Sequence, residues 1–587
     1  MASVLQSLPQ GLVSQSQPSK SAKTSVLTDW EIQAEKCRTI LRESLNQAWL
    51  LPAEQLPPAD QFNVSTFIET CGFLSSRELD ITSTSATILV QQMASGSLTA
   101  VETVTAFLKR AHIGHQLTNF ATEFMNAEAL ETAAQLDTYF QSTGKIKGPL
   151  HGIPISTKEH IEHKGRIAHS AYVALIDNIA EEDALIVQFC KKAGAVFHVR
   201  TNEPQSVMHI DCSNPIYGTT VNPHNRTLTC GGSSGGEGVS LGLRCAALGI
   251  GTDVGGSVRV PAAFCGAYGL RTTALRNPYR GVCLPGAGQE SIRCVISPLA
   301  NTAEDLGLFQ KAILDQEPWE IETSLVPLPW KQISPPKSGN FTIGVMWEDG
   351  LVRPHPPVVR ALRYAVDKLK AAGATVVDFE PYKHQEGMDI VSTLYFPECA
   401  VTQKDLLAKG GEPVAPLSNV PQSSLSDHLK GLTAELQCWE QLLLDDQDSH
   451  VSQYGDSRFK DLVILATSLL LDLIAETLMS RDNADFTSPL AGDGDGKPWR
   501  WQLDLAMNIL QCPEEHQKWS GCYLGAWPLL IFGYGARSLE EITLVKDVLK
   551  RMQQRIGYGE VQRIRDELDE ITTYKGSKVW VRQEILG

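Results

Sequence analysis

Two glycine-rich turns near the middle of the chain each carry a serine whose hydroxyl could act in catalysis. The first turn, over residues 230–236, reads Cys-Gly-Gly-Ser-Ser-Gly-Gly and contains Ser233, and the second, over residues 253–257, reads Asp-Val-Gly-Gly-Ser and ends on Ser257. Glycine lets the backbone approach a ligand closely, and consecutive amides in such a turn form a nest for an anion. The oxyanion of acyl transfer is such an anion. The amides expected to stabilise it are those of Val254, Gly255, Gly256 and Ser257.

These turns also have simpler interpretations. A single Gly-Gly-Ser sequence is more often a plain turn or a phosphate-binding loop than a catalytic one. The chain carries neither a Walker pattern nor a dinucleotide-binding fingerprint, which weakens the phosphate interpretation. It also lacks a Gly-x-Ser-x-Gly elbow at Ser257, so a Ser-His-Asp triad is not the natural choice and the base has to come from elsewhere.

A candidate base follows a short apolar segment upstream. Residues 152–156 predict a buried strand, and Lys158 stands at its end. Most lysines are solvated surface groups. A lysine held in a dry site has its charged form penalised, however, and can then accept a proton near neutral pH.

Other residues with chemical potential lie close to these segments. The spacings of His160, His163 and His169 do not reproduce a metal-binding helix face, so we expect no metal ion, and no cofactor is expected either. Cys230 and Cys265 flank the serine turns, and we interpret them as small buried apolar residues rather than catalytic thiols.

Residues 151–159, 231–238 and 251–259 together resemble the amidase signature family. Lys158 precedes Ser233 by 75 residues, a spacing similar to that of fatty acid amide hydrolase and the fungal acetamidases. The resemblance runs from about residue 79 to residue 383 and returns near residues 525–541, but it fails over 440–521. In the family this segment helps to shape the acyl-binding cavity, so its divergence bears on the substrate more than on the chemistry.

The resemblance implies a role for each matching residue. Lys158 would be the base, Ser233 a proton relay within a cis peptide, and Ser257 the nucleophile that cleaves a carboxamide C–N bond through an acyl-enzyme. A neutral lysine that takes the serine proton through the relay, and later returns a proton to the departing amine, is chemically sufficient. Residues implied to hold the nucleophile turn by polar contacts are Ser234, Asp253 and Arg259. Residues implied to contact the substrate are Met208, Gly231 and Gly232.

The elements around these residues predict the fold. Sequence patterns predict helices over 30–51, from about 97 through Arg110, over 127–139 and over 184–193, and further strands over 195–199 and 341–347. Strands that alternate with helices predict an α/β protein with a mixed, mostly parallel, twisted sheet that helices cover on both faces. The resemblance makes this the amidase signature fold.

The predicted organisation is an N-terminal tail and helical arm over residues 1–65, followed by one amidase signature domain over 66–587. Residues 1–23 have the Ser-, Gln- and Pro-rich composition of a disordered tail. Proline-rich stretches at 326–336 and 353–357 connect halves of the domain or mark a boundary. The apolar run 462–471 is too short to span a bilayer and is interpreted as a core helix or a lipid-facing patch.

Charge and cysteine content narrow the partners and the setting. The net charge of −16 and the pI of about 5.4 disfavour nucleic acid as a partner. The 13 scattered cysteines without CxxC pairs, together with the absence of a signal-peptide pattern, predict a cytoplasmic enzyme. We expect a small-molecule amide substrate and a fungal source, and the sequence leaves a homodimer open.

Two other functions remain compatible with the sequence. A biosynthetic acyltransferase or an esterase could use the same three residues, because an acyl-enzyme can be resolved by nucleophiles other than water. A binding protein that has lost turnover is disfavoured by the intact Lys158, Ser233 and Ser257. An amidotransferase subunit acting on aminoacylated RNA is disfavoured by the acidic chain.

Overall fold

The computed structural model of the protein describes most of the chain up to residue 415 and a part of its C-terminal region. The described residues are 28–284, 292–331, 333, 341–395, 400–415, 506, 507, 510, 511, 528, 529, 532 and 539–556. They divide into two compact units, the first formed by Met1–Pro336 and Thr402–Asn419 and the second by Lys337–Val401 and Val420–Gly587. The first boundary thus falls at the end of the proline-rich stretch 326–336. The predicted tail over 1–23 and the apolar run 462–471 lie outside the described residues.

The first unit contains most of the described secondary structure. The α-helices of the two units are α1 (Asp29–Ser44), α2 (Phe67–Thr70), α3 (Ser76–Ser83), α4 (Ala86–Ala94), α5 (Ala100–Thr118), α6 (Asn126–Thr143), α7 (Leu185–Lys192), α8 (Gly235–Gly242), α9 (Arg259–Cys265), α10 (Ala303–Leu314), α11 (Pro356–Ala371), α12 (His384–Tyr395), α13 (Val401–Gly410) and α14 (Leu539–Ile556). The strands are β1 (Ala121–Phe124), β2 (Pro154–Lys158), β3 (Val196–Thr201), β4 (Ser213–Asn214), β5 (Gly218–Thr219), β6 (Val221–Asn222), β7 (Asn225–Thr229), β8 (Leu248–Asp253), β9 (Tyr268–Gly269), β10 (Val295–Ala300), β11 (Thr342–Val345) and β12 (Thr375–Asp378).

A six-stranded sheet with the order β1-β3-β2-β8-β10-β9 forms the centre of the first unit. Strand β2 pairs in parallel with both β3 and β8, and the pairs β1–β3, β8–β10 and β10–β9 are antiparallel. The predicted α/β class and mixed sheet are confirmed. In this sheet, the two described parallel pairs join β3, β2 and β8, and the three other described pairs are antiparallel.

The central strands are buried on both faces. Every residue of β2, β3, β8 and β10 is buried, including their polar and charged side chains, as expected for strands that are covered on both faces. The main apolar cluster joins helices to the sheet. Its members include Leu108 of α5, Ile186 of α7, Phe309 of α10, Ile155 of β2 and Ile250 of β8. The sheet therefore holds the ends of β2 and β8 in a rigid, dry environment.

Helix α5 begins where its sequence predicts and extends beyond the predicted end. Thr99 and Glu102 form a capping box that satisfies the first free amides of the helix. The helix continues past Arg110 to Thr118, because the residues after Arg110 still bury an apolar face, and it ends on Asn119 in a left-handed conformation.

The N-terminal arm is shorter as a helix than its sequence predicts. The structure ends α1 at Ser44, and residues 47–49 form a separate 3-10 turn instead of continuing to Leu51. The break coincides with a tertiary hydrogen bond in which the Asn46 amide donates to Nε2 of the buried His112 at 3.1 Å. Sequence periodicity cannot detect such a contact.

Helix α1 packs on the first unit as part of it. Ala34 and Cys37 are buried in a small apolar cluster with Val173, Ile176 and Ile216. The arm over residues 29–65 therefore shares a core with the residues that follow it.

The second unit contains a two-stranded parallel sheet. Strands β11 and β12 pair from Thr342 with Thr375 to Val345 with Asp378, and α11 lies between them in the chain. The predicted strand over 341–347 is thus confirmed as β11. Among the residues that the structure describes, no helix is long and apolar enough to cross a bilayer.

Candidate active site

The strand β2 delivers Lys158 into the interior of the first unit. The Lys158 side chain is 0% exposed, and its Nζ atom lies 2.6 Å from Ser233 Oγ and 3.2 Å from Thr252 Oγ1. Burial lowers the pKa of Lys158 below its ordinary value, and the Glu203 carboxylate opposes that shift. A lysine in this environment can be uncharged at a pH where a surface lysine is not.

The turn before α8 positions Ser233. Gly231 adopts a φ of 80°, and a side chain on Gly232 would collide with the carbonyl oxygen of Asp211, so both positions require glycine. The Gly232–Ser233 peptide bond is cis. Ser233 is buried and faces Lys158, as the resemblance implied.

The turn after β8 positions Ser257 beside the first turn. The Ser234 amide donates to the Ser257 carbonyl oxygen at 2.9 Å, and the Ser234 hydroxyl donates to the Thr252 carbonyl oxygen at 3.2 Å. The Thr252 amide also donates to the Ser234 hydroxyl at 3.3 Å. These hydrogen bonds hold the serine turns against each other at the end of the sheet. Ser257 is partly exposed, whereas Ser233 is not.

Asp253 holds the nucleophile turn in shape. Its carboxylate accepts hydrogen bonds from the amides of Gly256 at 2.8 Å and Val258 at 3.1 Å and from the Arg259 guanidinium at 3.0 Å. Burial acts to raise the pKa of Asp253, but the hydrogen bonds from Arg259 and the two amides outweigh it and lower the pKa. Asp253 is therefore an anion, and Arg259 is placed to fix this loop.

One of the four amides that the sequence assigns to an oxyanion site has another partner. The Gly256 amide points to Oδ1 of Asp253 in this conformation. The physical reason is local, since an aspartate side chain readily accepts amides a few residues further along the chain. The candidate oxyanion donors are thereby reduced to the amides of Val254, Gly255 and Ser257.

A cavity of about 440 Å³ opens next to the two serines. Ser233, Thr252 and Ser257 line it together with Val254 and Met208. Its apolar wall includes Val207, Leu275, Val282, Leu284, Ile292 and Leu325. Its polar wall includes Asn277, Tyr279, Arg280, Arg293 and Glu322. A volume of this size suits a small-molecule ligand.

The three residues expected to contact substrate differ in their position relative to the cavity. Met208 lines the cavity, whereas Gly231 and Gly232 are not among the described residues that line it. The two glycines shape the turn that carries Ser233.

The cysteines beside the serine turns and the histidines near Lys158 are buried. Cys230 and Cys265 are buried in an apolar cluster, as predicted. His163 Nε2 lies 2.9 Å from Thr157 Oγ1, and His169 Nε2 lies 3.3 Å from the hydroxyl of Tyr217. These two histidines thus have structural partners away from the serine turns.

The structure adds two residues to the site that the sequence did not assign to it. His160 Nε2 lies 3.0 Å from Thr252 Oγ1, and His160 Nδ1 lies 3.0 Å from Glu203 Oε2. Burial raises the pKa of Glu203 to about 7, with Lys158 opposing the shift, and burial lowers the pKa of His160 well below its ordinary value. No local sequence pattern marks Glu203, because its partners come from other elements.

A further buried acid lies under the site. The Glu237 carboxyl of α8 accepts hydrogen bonds from the hydroxyls of Ser156 and Thr201, each at 2.7 Å. Burial raises the pKa of Glu237 to about 8 despite these hydrogen bonds. Glu237 therefore joins α8 to β2 and β3 as a largely uncharged group at neutral pH.

Comparison with known proteins gives the family. The Amidase family model matches residues 102–455, a span that reaches into the segment 440–521. The acetamidase of Emericella nidulans is 41% identical over 393 residues, which cover 66% of this chain and 71% of that protein. The acetamidase of Aspergillus oryzae is 38% identical, with 70% of this chain and 76% of that protein covered.

A solved structure agrees with the sequence relatives. The structure of a fatty acid amide hydrolase is similar to this chain with a TM-score of 0.66 at 37% identity, covering 71% of this chain and 76% of that one. Together these findings define an enzyme that acts on carbon–nitrogen bonds. The chain belongs to the amidase family.

Proposed function

We propose that this amidase hydrolyses a carboxamide through an acyl-enzyme, with Ser257 as nucleophile, Ser233 as proton relay and Lys158 as base. The observation that carries the proposal is the buried Lys158 amine, 2.6 Å from the hydroxyl of Ser233, which lines the same cavity as Ser257. A desolvated amine is a competent base near neutral pH, and a serine hydroxyl requires such a base to become nucleophilic.

In the proposed reaction, Ser257 Oγ transfers its proton to Ser233 Oγ, and Ser233 passes its own proton to Lys158 Nζ. Ser257 Oγ then bonds to the carbonyl carbon, and the carbonyl oxygen becomes an oxyanion. When the C–N bond breaks, the proton returns from Lys158 through Ser233 to the departing nitrogen. Water, activated by the same route, then attacks the acyl-enzyme and releases the acid.

The oxyanion requires donors that are already in place. The amides of Val254, Gly255 and Ser257 are the proposed donors, and the ion pair of Asp253 with Arg259 keeps their loop ordered. Donors fixed before the reaction stabilise charge that develops in the transition state without reorganisation.

The proposed substrate is a small or medium, uncharged amide. Support comes from the cavity volume of about 440 Å³ and from the apolar wall around Val207 and Leu275. The acetamidases that resemble this chain are named for acetamide, a small amide. A cytoplasmic location belongs to the same proposal and is supported by the scattered, odd number of cysteines.

The experiment that tests this function combines labelling with product analysis. A fluorophosphonate should label the protein once, at Ser257, and Ser257→Ala should abolish both labelling and turnover of acyl amides while the melting temperature stays close to that of the wild type. A variant that keeps roughly a tenth of the wild-type kcat would show that Ser257 is not the nucleophile, because loss of such a residue normally costs far more. Added amines in the reaction distinguish hydrolysis from acyl transfer by their products.

A further inference from the structure

Glu203 is a buried acid with an unusual set of neighbours. Its side chain is 1% exposed, and its Oε2 atom lies 3.0 Å from His160 Nδ1 and 3.9 Å from Lys158 Nζ. Among the described residues, neither of its oxygens has a hydrogen-bond partner of good geometry, and the same holds for the Nδ1 atom of His160 that faces it. Asp253, by contrast, accepts amides and a guanidinium. A buried carboxylate without such donors is costly, and it is stabilised by keeping its proton.

Glu203 is connected to the proposed base through two side chains. His160 spans the distance between Glu203 and Thr252, with 3.0 Å at each ring nitrogen. Thr252 Oγ1 is in turn 3.2 Å from Lys158 Nζ. The atoms therefore form one continuous chain from Glu203 through His160 and Thr252 to Lys158.

The protonation state of Lys158 determines where the protons lie along this series of contacts. A neutral lysine has two N–H donors and one lone pair. If the lone pair accepts the Ser233 hydroxyl proton, both N–H groups of Lys158 remain, and one of them can donate to Thr252 Oγ1. The second lone pair of Thr252 Oγ1 can then accept the Nε2 proton of His160, and the Thr252 hydroxyl can donate to the neighbouring Cys294.

A His160 ring with its proton on Nε2 presents an acceptor at Nδ1. Only an acid form of Glu203 supplies the matching donor at that position. We infer that Glu203 is an uncharged positioning residue that donates a hydrogen bond to His160 and thereby holds Lys158 neutral and directed at Ser233. The inference rests on the proposed function, in which Lys158 is the base.

Burial favours the acid form of Glu203, whereas Lys158, Glu159 and Arg200 act to lower its pKa. Besides Lys158 and His160, the titratable or charged groups that interact with Glu203 are Glu159, Arg200, Tyr172, Tyr279 and Cys283. Those that interact with Lys158 are Asp253, Glu237, Cys212 and Cys294. Burial raises the pKa of Glu203 to about 7 even with a charged Lys158 opposing it, and a neutral Lys158 would remove that opposition. An ionised Glu203 would instead favour the charged lysine.

Two substitutions of Glu203 test whether this residue is uncharged or ionised in the active enzyme. Glu203→Gln keeps an uncharged donor at the same position, and Glu203→Met keeps the volume but removes the donor. For both variants we expect the acid limb of kcat/KM against pH to stay within about half a pH unit of the wild type, because no charge is removed. Glu203→Gln should keep most of kcat. Glu203→Met should lower kcat by about tenfold with little change in KM, because the series of contacts from Glu203 to Lys158 loses one buried hydrogen bond.

Other outcomes would contradict the inference about Glu203. If Glu203 is ionised in the active enzyme, its removal lowers the pKa of Lys158, and the acid limb of either variant moves to lower pH by about one unit or more. Either variant alone shows whether Glu203 is ionised, so the test remains possible if the other variant does not fold. Equal kcat in Glu203→Met and the wild type would also overturn the positioning role. An unchanged pH profile in Lys158→Ala would instead overturn the proposed function itself.

Discussion

Lys158 Nζ and Ser233 Oγ lie 2.6 Å apart at the end of the central sheet, and both side chains are buried. The contact brings together a strand and a glycine-rich turn that are far apart in the chain. It also places a buried amine next to a hydroxyl that lines the cavity.

The first prediction concerns the pH dependence of catalysis. Because Lys158 has to be neutral to act as a base, kcat/KM should rise with pH along a limb that reports its ionisation, and burial places that limb below the ordinary lysine pKa of 10.5. Lys158→Ala should remove the limb and lower kcat by a factor of roughly 10³ or more. The exposed Lys164 is a suitable control, since Lys164→Ala should leave both the rate and the profile unchanged.

The second prediction compares two adjacent serines. Ser233→Ala removes the proposed relay between Ser257 and Lys158, and kcat should fall by a factor of roughly 10³ or more at nearly constant KM. Ser234→Ala removes a hydrogen bond to the Thr252 carbonyl oxygen and should cost far less. Steady-state kinetics on one amide measure both. Similar losses in the two variants would show that the turn matters only as a scaffold.

Several features of the site are predictable from the sequence because they are local. Lys158 follows a short run of apolar residues. Such a run predicts a buried strand, and the lysine then lies at the end of that strand. Ser233 and Ser257 each sit in a glycine-rich turn whose backbone is specified by neighbouring residues. In such segments the residue types alone limit the conformation, and strand β2 agrees with that expectation, whereas the contact between Lys158 and Ser233 was expected only from the family resemblance.

Other features depend on contacts between distant elements and could not be predicted. The partners of Glu203 are brought to it by pairing of β2 with β3, and a single glutamate in a loop carries no pattern that signals a dry environment. The Gly256 amide could not be assigned to Asp253 before the loop conformation was known. The N-terminal helix ends at Ser44, two residues before the amide of Asn46 donates to His112, which lies 66 residues further along the chain.

The third prediction uses two buried threonines of similar environment. Thr252 contacts His160 and Lys158, whereas Thr157 contacts His163 at 2.9 Å and lies outside the chain to Glu203. Thr252→Val should lower kcat by about tenfold with KM nearly unchanged, because it removes a buried hydrogen-bond partner of the base. Thr157→Val should lower the melting temperature without a comparable loss of kcat. Equal kcat losses would refute a specific link through Thr252.

The last prediction concerns the pH dependence of stability through Glu237. Its pKa rises from 4.5 in the unfolded chain to about 8 in the folded protein, mainly because of burial between α8 and the sheet. A group whose pKa is raised on folding contributes stability that is fully present below its unfolded pKa and is lost as the pH rises through its folded pKa. The free energy of unfolding should therefore decrease between about pH 4.5 and pH 8. In Glu237→Gln the uncharged amide still accepts from Ser156 or Thr201, so its decrease over this range should be smaller than that of the wild type. Denaturant unfolding at several pH values measures the difference, and parallel curves for the two proteins would show that Glu237 is already ionised in the folded state.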